Sequence, residues 1–129
     1  MEFISHVRAL HLAQRIAFCL ILPLLLAAVA CDERRKSDAE LGLTPQQSAG
    51  RRVYDNQCDR CREPYSSRGK KGPSMKGVFQ RQYLSLSGLP ANDERVTDIV
   101  RSGRPDMPGF GQTLTQQQVD DLLAYLHAL

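Results

Sequence analysis

Residues 50–62 read GRRVYDNQCDRCR, and the fold predicted for the whole chain starts from this stretch. Gly50, Tyr54 and Cys58 recur at every fourth position, which is the spacing of one face of an α-helix. Cys58 and Cys61 form a C-x-x-C pair at the point where this helix is expected to end. The stretch therefore predicts a helix that brings two thiols to its C-terminal end.

Capping residues mark the ends of this helix and of two others. Residues 44–47 read TPQQ and residues 115–118 read TQQQ, and each combines a capping Thr with Gln at the third helical position. A middle helix is predicted from a cap at Asn92 or Asp93 to a stop at Gly103. Since no stretch alternates with period two, we expect an all-α fold with long loops.

The composition allows one small domain and excludes a multidomain enzyme. Although 42% of the 129 residues are hydrophobic, only about 32 of the 99 residues from position 31 onward are, and the chain has no Trp. A core this lean suggests that something other than side chains completes it.

The first 30 residues have the pattern of an export signal. Arg8 and Arg15 make a positive start, and residues 16–30 are uncharged and short for a membrane-spanning helix. We therefore predict that residues 1–30 are a signal peptide of the lipoprotein type. An uncleaved N-terminal anchor is the alternative.

Small residues stand directly before Cys31, in the order Ala-Val-Ala-Cys, which resembles a bacterial lipoprotein processing site. Lipid on Cys31 would hold the protein on the periplasmic or cell-envelope side of the cytoplasmic membrane. Residues 31–43 are polar and are predicted to be a flexible tether. Residues 44–129 are predicted to be the folded domain.

The charge of the mature chain is nearly balanced, at about +2 after residues 1–30 are removed, and this argues against binding to nucleic acid. One stretch is nevertheless basic and contains Glu63 as its single acid. It would suit an acidic partner, or it is simply a solvated loop surface. Its basic residues are Arg60, Arg62, Arg68, Lys70, Lys71, Lys76 and Arg81.

The Cys58/Cys61 pair has four possible chemistries. A thioredoxin-like redox site is disfavoured because no βαβ pattern surrounds it, and zinc is disfavoured because His127 is the sole His after residue 30. A structural disulfide and two thioether bonds to a haem stay open. Met107 favours haem, because a thioether in a loop of Pro and Gly is a typical axial ligand of haem iron.

The chain resembles class I cytochrome c from residue 44 to residue 129. Gly50 and Tyr54 match the N-terminal helix of that family, and Leu122 and Tyr125 match its C-terminal helix. The resemblance implies a small cytochrome c-like fold in which these two helices cross, with long loops around a haem pocket. Gly lets the backbones approach closely and the aromatic ring fills the adjoining gap.

Two loops also resemble parts of the family's binding site for its cofactor, haem c. Residues 72–79, GPSMKGVF, resemble the loop whose Pro73 carbonyl accepts a hydrogen bond from the proximal His. Met107 stands in a segment that resembles the distal loop and is implied to be an axial ligand of the iron. Cys58 and Cys61 are implied to form the haem thioethers.

Arg62 departs from the family motif, which is C-x-x-C-H with the His as proximal ligand. Arg has no lone pair for iron, so Arg62 cannot replace that ligand. Its guanidinium is expected to bond the Pro73 carbonyl or to pair with a haem propionate. Either haem is still carried, or the domain is haem-free with a Cys58–Cys61 disulfide, or Arg62 is a single-base change from His.

The predicted function is single-electron transfer between exported redox partners by a membrane-tethered c-type cytochrome with no enzymatic activity. The alternative is a haem-free interaction module on a lipid tether. A thiol oxidoreductase is a third and more distant possibility, and it would need a lowered thiol pKa.

Overall fold

The computed structural model describes residues 36–129, which form three α-helices and no β-strand. None of the helices in this range is long and apolar enough to cross a membrane. The predicted signal peptide, residues 1–30, and the predicted lipidation site, Cys31, lie outside the described residues.

The helices are α1, Pro45–Gln57; α2, Asp93–Ser102; and α3, Gln116–His127, with a short 3₁₀ turn at Val78–Gln80. The all-α prediction is confirmed. Thr44 caps α1 as predicted, because its hydroxyl accepts a hydrogen bond from the Gln47 N–H at 3.2 Å. A second capping box, between Thr115 and Gln118, begins α3.

Helix α2 is capped at one end by Asn92 and at the other by Gly103. The Asn92 side chain accepts a hydrogen bond from the Arg95 N–H at 2.9 Å, which decides between the two predicted caps. Gly103 has φ 75°, a left-handed conformation that L-residues rarely adopt. The chain therefore leaves α2 in a sharp turn towards the following loop.

Helices α1 and α3 cross at Gly50. A Cβ atom at this position would overlap the backbone carbonyl of Asp121 and come within 2.9 Å of the Tyr125 Cβ. One turn along, Tyr54 packs edge-on against Tyr125 with ring centroids 5.4 Å apart. The missing side chain of Gly50 therefore sets the closeness of the crossing, and the two rings fill the space beside it.

The core of the described domain is small and lies between the three helices and the 3₁₀ turn. Its aromatic centre, Tyr54 and Tyr125, is almost completely buried. Its other buried apolar side chains are Val78, Val96, Val100, Leu114, Val119, Leu122 and Leu126.

The compact domain begins at Ser37, earlier than the predicted start at residue 44. Asp38 forms an ion pair with the buried Arg51 of α1, with 2.6 Å between Oδ1 and Nη1. Hydrogen bonds from the Ser48 side chain and from Arg51 lower the pKa of Asp38. A buried guanidinium needs an anionic partner, so the last residues of the predicted tether belong to the folded unit.

Replacing Gly50 with Ala is expected to destabilise the protein by about 2 kcal/mol or more, because the new methyl group meets backbone that cannot move aside. Chemical denaturation monitored by circular dichroism measures the change. Gly69→Ala is the matched control, since its Cβ would meet only the Gly72 carbonyl at 3.4 Å. Equal losses of stability for the two variants would contradict the close helix crossing.

Candidate functional site

The C-terminal end of α1 positions the two cysteines. Cys58 caps the helix, and its N–H donates to the Tyr54 carbonyl at 2.7 Å. The N–H groups of Cys61 and Arg62 both donate to the Cys58 carbonyl at 3.0 Å. This tight turn holds residues 58–62 together, and both cysteines carry free thiols with no disulfide between them.

Burial raises the pKa of the Cys58 thiol to about 11, and the nearby Arg62 charge only partly opposes this effect. A thiol oxidoreductase needs the opposite shift, towards a reactive thiolate near neutral pH. The raised pKa of Cys58 therefore disfavours the third predicted function, and it agrees with a half-buried thiol that lines an apolar cavity.

A cavity of about 380 Å³ opens beside Cys58. Most of its wall is apolar, and it is formed by the end of α1, by one face of α2 and α3, and by the two loops before and after α2. The side chains that matter most for the site are Cys58, Arg62, Pro73, Met75, Leu122 and Met107. The described residues thus bring together Cys58 and Met107, which are far apart in the sequence.

The Arg62 guanidinium lies in this cavity. Its Nη1 is 3.5 Å from the Pro73 carbonyl oxygen and 4.0 Å from the Met75 sulfur, and its Nη2 is 3.2 Å from the Met107 sulfur. The contact with the carbonyl oxygen is long for a hydrogen bond. The other two contacts are with thioether sulfurs, which are weak acceptors. Arg62 therefore contacts its predicted partner, the Pro73 carbonyl, and it also contacts Met107 in the loop that follows α2.

The Met107 loop is held against the end of α2. The backbones of Arg104 and Met107 exchange two hydrogen bonds of 2.9 Å, and the Phe110 N–H donates to the Val100 carbonyl at 2.8 Å. A Cβ atom at Gly103 would lie 2.5 Å from the Met107 carbonyl oxygen, so only Gly allows this approach. The backbone around Met107 is fixed by these contacts, and its sulfur reaches the cavity.

The loop on the other side of the cavity folds back onto the cysteine turn. The Gly72 N–H donates to the Cys61 carbonyl and the Met75 N–H donates to the Glu63 carbonyl, both at 2.8 Å. The Tyr54 hydroxyl donates to the Arg62 carbonyl at 3.0 Å. These bonds place Met75 at the cavity wall. Met75 was not predicted as a site residue. Its position between Pro73 and Gly77 was the signal in the sequence that could have identified it.

The basic stretch predicted as a partner surface is partly balanced inside the domain. Lys70 lies 3.1 Å from the Asp59 carboxylate and 3.7 Å from that of Glu63. Arg81 donates to the backbone carbonyls of Ser74 and Lys76. Together with the inward position of Arg62, these contacts leave less positive surface than the sequence alone indicates.

His127 does not line the cavity. It is exposed, its Nε2 lies 2.7 Å from the Asp93 carboxylate, and its ring stacks on Phe79 with centroids 3.9 Å apart. Within residues 36–129, no cluster of three or more His, Cys, Asp or Glu side chains is arranged to hold a metal ion. The zinc interpretation gains no support from the described site.

An all-α domain with crossing terminal helices and a C-x-x-C turn beside an apolar cavity is the architecture of a cytochrome c-like protein. The sequence model of the family described as cytochrome C oxidase, cbb3-type, subunit III matches residues 45–126, and the chain therefore belongs to this family of c-type cytochrome domains. The family cofactor is haem c, its role is electron transfer, and its members are typically exported to the periplasmic side. No curated protein and no solved structure matches the chain significantly.

The residues around the cavity fit haem c in three respects. The wall is largely apolar, the Cys58 thiol lies in it with Cys61 on the same turn, and the Met107 sulfur faces the same space. The position next to Cys61 fits less well, because Arg62 offers no lone pair to iron. The site can therefore hold the group once the Arg62 guanidinium leaves the cavity.

In haem-free protein at pH 8, iodoacetamide is expected to alkylate Cys58 about 100-fold more slowly than in the unfolded chain, because the thiolate is the nucleophile and burial raises its pKa from 9.0 to about 11. Peptide mapping by mass spectrometry follows Cys58 alone, and the same protein in guanidinium chloride is the control. Equal rates in the two conditions would show that the folded chain does not raise the pKa of this thiol.

Proposed function

We propose that this protein is a c-type cytochrome that transfers single electrons, with haem c bound covalently through Cys58 and Cys61 and with Met107 as an axial ligand. The observation that carries the proposal is the shared cavity, in which the Cys58 thiol and the Met107 sulfur face the same apolar space. When bound, haem c supplies a one-electron iron couple. The protein would act as an electron carrier and not as an enzyme.

The residues of the cavity suit this role. The apolar side chains of α2 and α3 exclude water from the site, and a thioether such as that of Met107 favours the reduced state of haem iron. The bonds between Arg104 and Met107 hold the loop at the cavity, so the ligand is positioned before any cofactor binds. Once it leaves the cavity, the Arg62 guanidinium would pair with a haem propionate.

The second candidate is a haem-free interaction module. The contact between Arg62 Nη2 and the Met107 sulfur, at 3.2 Å, favours it, because the guanidinium then occupies space that a cofactor needs. In such a protein the Arg62 side chain would link the two loops across the cavity. A Cys58–Cys61 disulfide would be its signature in an oxidising compartment.

We also propose that the protein is exported and anchored by lipid on Cys31, after removal of residues 1–30. It would work on the periplasmic or cell-envelope side of the cytoplasmic membrane with exported redox proteins as partners. The exposed cations at the cavity rim, Lys71 and Arg104, favour partners with an acidic surface.

Protein made in a periplasmic host with haem-attachment machinery is expected to show a Soret band that survives acid–acetone extraction. Arg62→His should raise the haem content several-fold, because it restores a side chain with a lone pair beside Cys61. Absorption spectra and the mass of the intact protein measure haem content. Arg60→His is the matched control and should change the haem content little.

Two results would decide for the haem-free module. One is the absence of covalent haem from both the wild type and Arg62→His. The other is a mass two hydrogen atoms below that of the reduced chain, which marks a Cys58–Cys61 disulfide.

Cys31→Ser is expected to abolish the incorporation of labelled fatty acid, because the acyl chains are attached at this cysteine. Cys19→Ser, which lies inside the predicted signal peptide, is the matched control and should leave the incorporation unchanged. Absence of labelled fatty acid from the wild type would favour the uncleaved anchor.

A further inference from the structure

Met75 is a second methionine at the cavity. It is half-buried, lines the same space as Met107 and packs against the core. The Met75 sulfur lies 4.0 Å from Arg62 Nη1, and the Met107 sulfur lies 3.2 Å from Arg62 Nη2. Because these two nitrogens belong to one small planar group, both sulfurs adjoin the space that the guanidinium occupies.

The two sulfurs come from different walls of the cavity. Met75 belongs to the loop that is bonded to the cysteine turn, through its N–H and the Glu63 carbonyl. Met107 belongs to the loop that is bonded to the end of α2, through the Phe110 N–H and the Val100 carbonyl. Met75 therefore lies on the side that carries residue 62, and Met107 approaches from the other loop.

The other side chains of the cavity are poor donors for iron on the Met75 side. Lys71 is exposed to solvent, and Asp106 is on the same loop as Met107. Burial raises the pKa of the Tyr54 phenol, so the phenolate form is disfavoured. The Met75 thioether needs no deprotonation and is a soft donor of the kind that haem iron accepts.

We propose that Met75 is the second axial ligand, so that two methionine sulfurs hold the haem iron once the Arg62 guanidinium turns out of the cavity. This inference rests on the proposed function. The contacts that hold the guanidinium in the cavity are a carbonyl at 3.5 Å and two thioethers. Such long or weakly accepting contacts oppose its departure only slightly.

Proton NMR of the reduced, haem-loaded full-length protein tests the proposal. The methyl group of a ligating Met lies over the macrocycle, whose ring current shifts its resonance strongly upfield. The wild type is expected to show two such S-methyl resonances. Met75→Leu should remove one of them and Met107→Leu the other, whereas Leu84→Val, at a third lining position, should keep both.

Arg62→His provides an independent arm of the experiment. A histidine at this position competes for the iron from the Met75 side, so this variant should lose the Met75 resonance and keep that of Met107. Carbon monoxide should bind the reduced Met75→Leu protein at least tenfold more tightly than the reduced wild type, because no second thioether competes with it.

A single upfield S-methyl resonance in haem-loaded wild type, or two that persist in Met75→Leu, would overturn the assignment of Met75 and leave the proposed function intact. The number of upfield S-methyl resonances is counted in the wild type, so this result does not depend on whether any variant folds. Failure of the proposed function has a different signature, which is the absence of covalent haem in the same sample.

Discussion

The contact between Gly50 and the backbone at Asp121 is the constraint on which the rest of the structure depends. It fixes how closely α1 lies on α3, and Tyr54 and Tyr125 then close the space beside the crossing. Because Cys58 caps α1 and Leu122 belongs to α3, the same contact determines which side chains face the cavity. The position of the thiol is thus a consequence of helix packing.

The half-buried Arg62 places a cation against a largely apolar cavity wall, where a cation ordinarily needs a strong acceptor. Buried Arg51 has such a partner in Asp38, at 2.6 Å. Arg62 instead has a distant carbonyl and two thioethers, and none of its described contacts is a carboxylate. The Arg51 side chain is therefore firmly held, whereas the Arg62 side chain rests in its cavity position without a strong bond. Because Arg62 is held only weakly, its guanidinium can stay in the cavity, as the haem-free module requires, or leave it, as haem binding requires.

The sequence predicted the features that depend on neighbouring residues. The capping boxes at Thr44 and Thr115 follow from local hydrogen bonding, and both are present. The placement of Met107 and Cys58 on one cavity was expected only through the haem interpretation and the resemblance to cytochrome c, since no local pattern relates residues so distant. The ion pair of Asp38 with Arg51 went unpredicted for the same reason, because charge spacing does not reveal which acid a folded chain brings to a buried guanidinium.

Arg62 stands where the resemblance to cytochrome c implies a histidine, and it affects the electrostatics of the site as well as its ligands. In place of an imidazole, the site has a guanidinium at a short distance from the cavity. On the proposed function, this charge opposes the oxidised, more positive state of the iron. On the same proposals, thioether ligands from Met75 and Met107 would favour the reduced state as well. On the proposed function both effects act in one direction, so the charge of Arg62 and the two thioethers would give an electron carrier of high reduction potential.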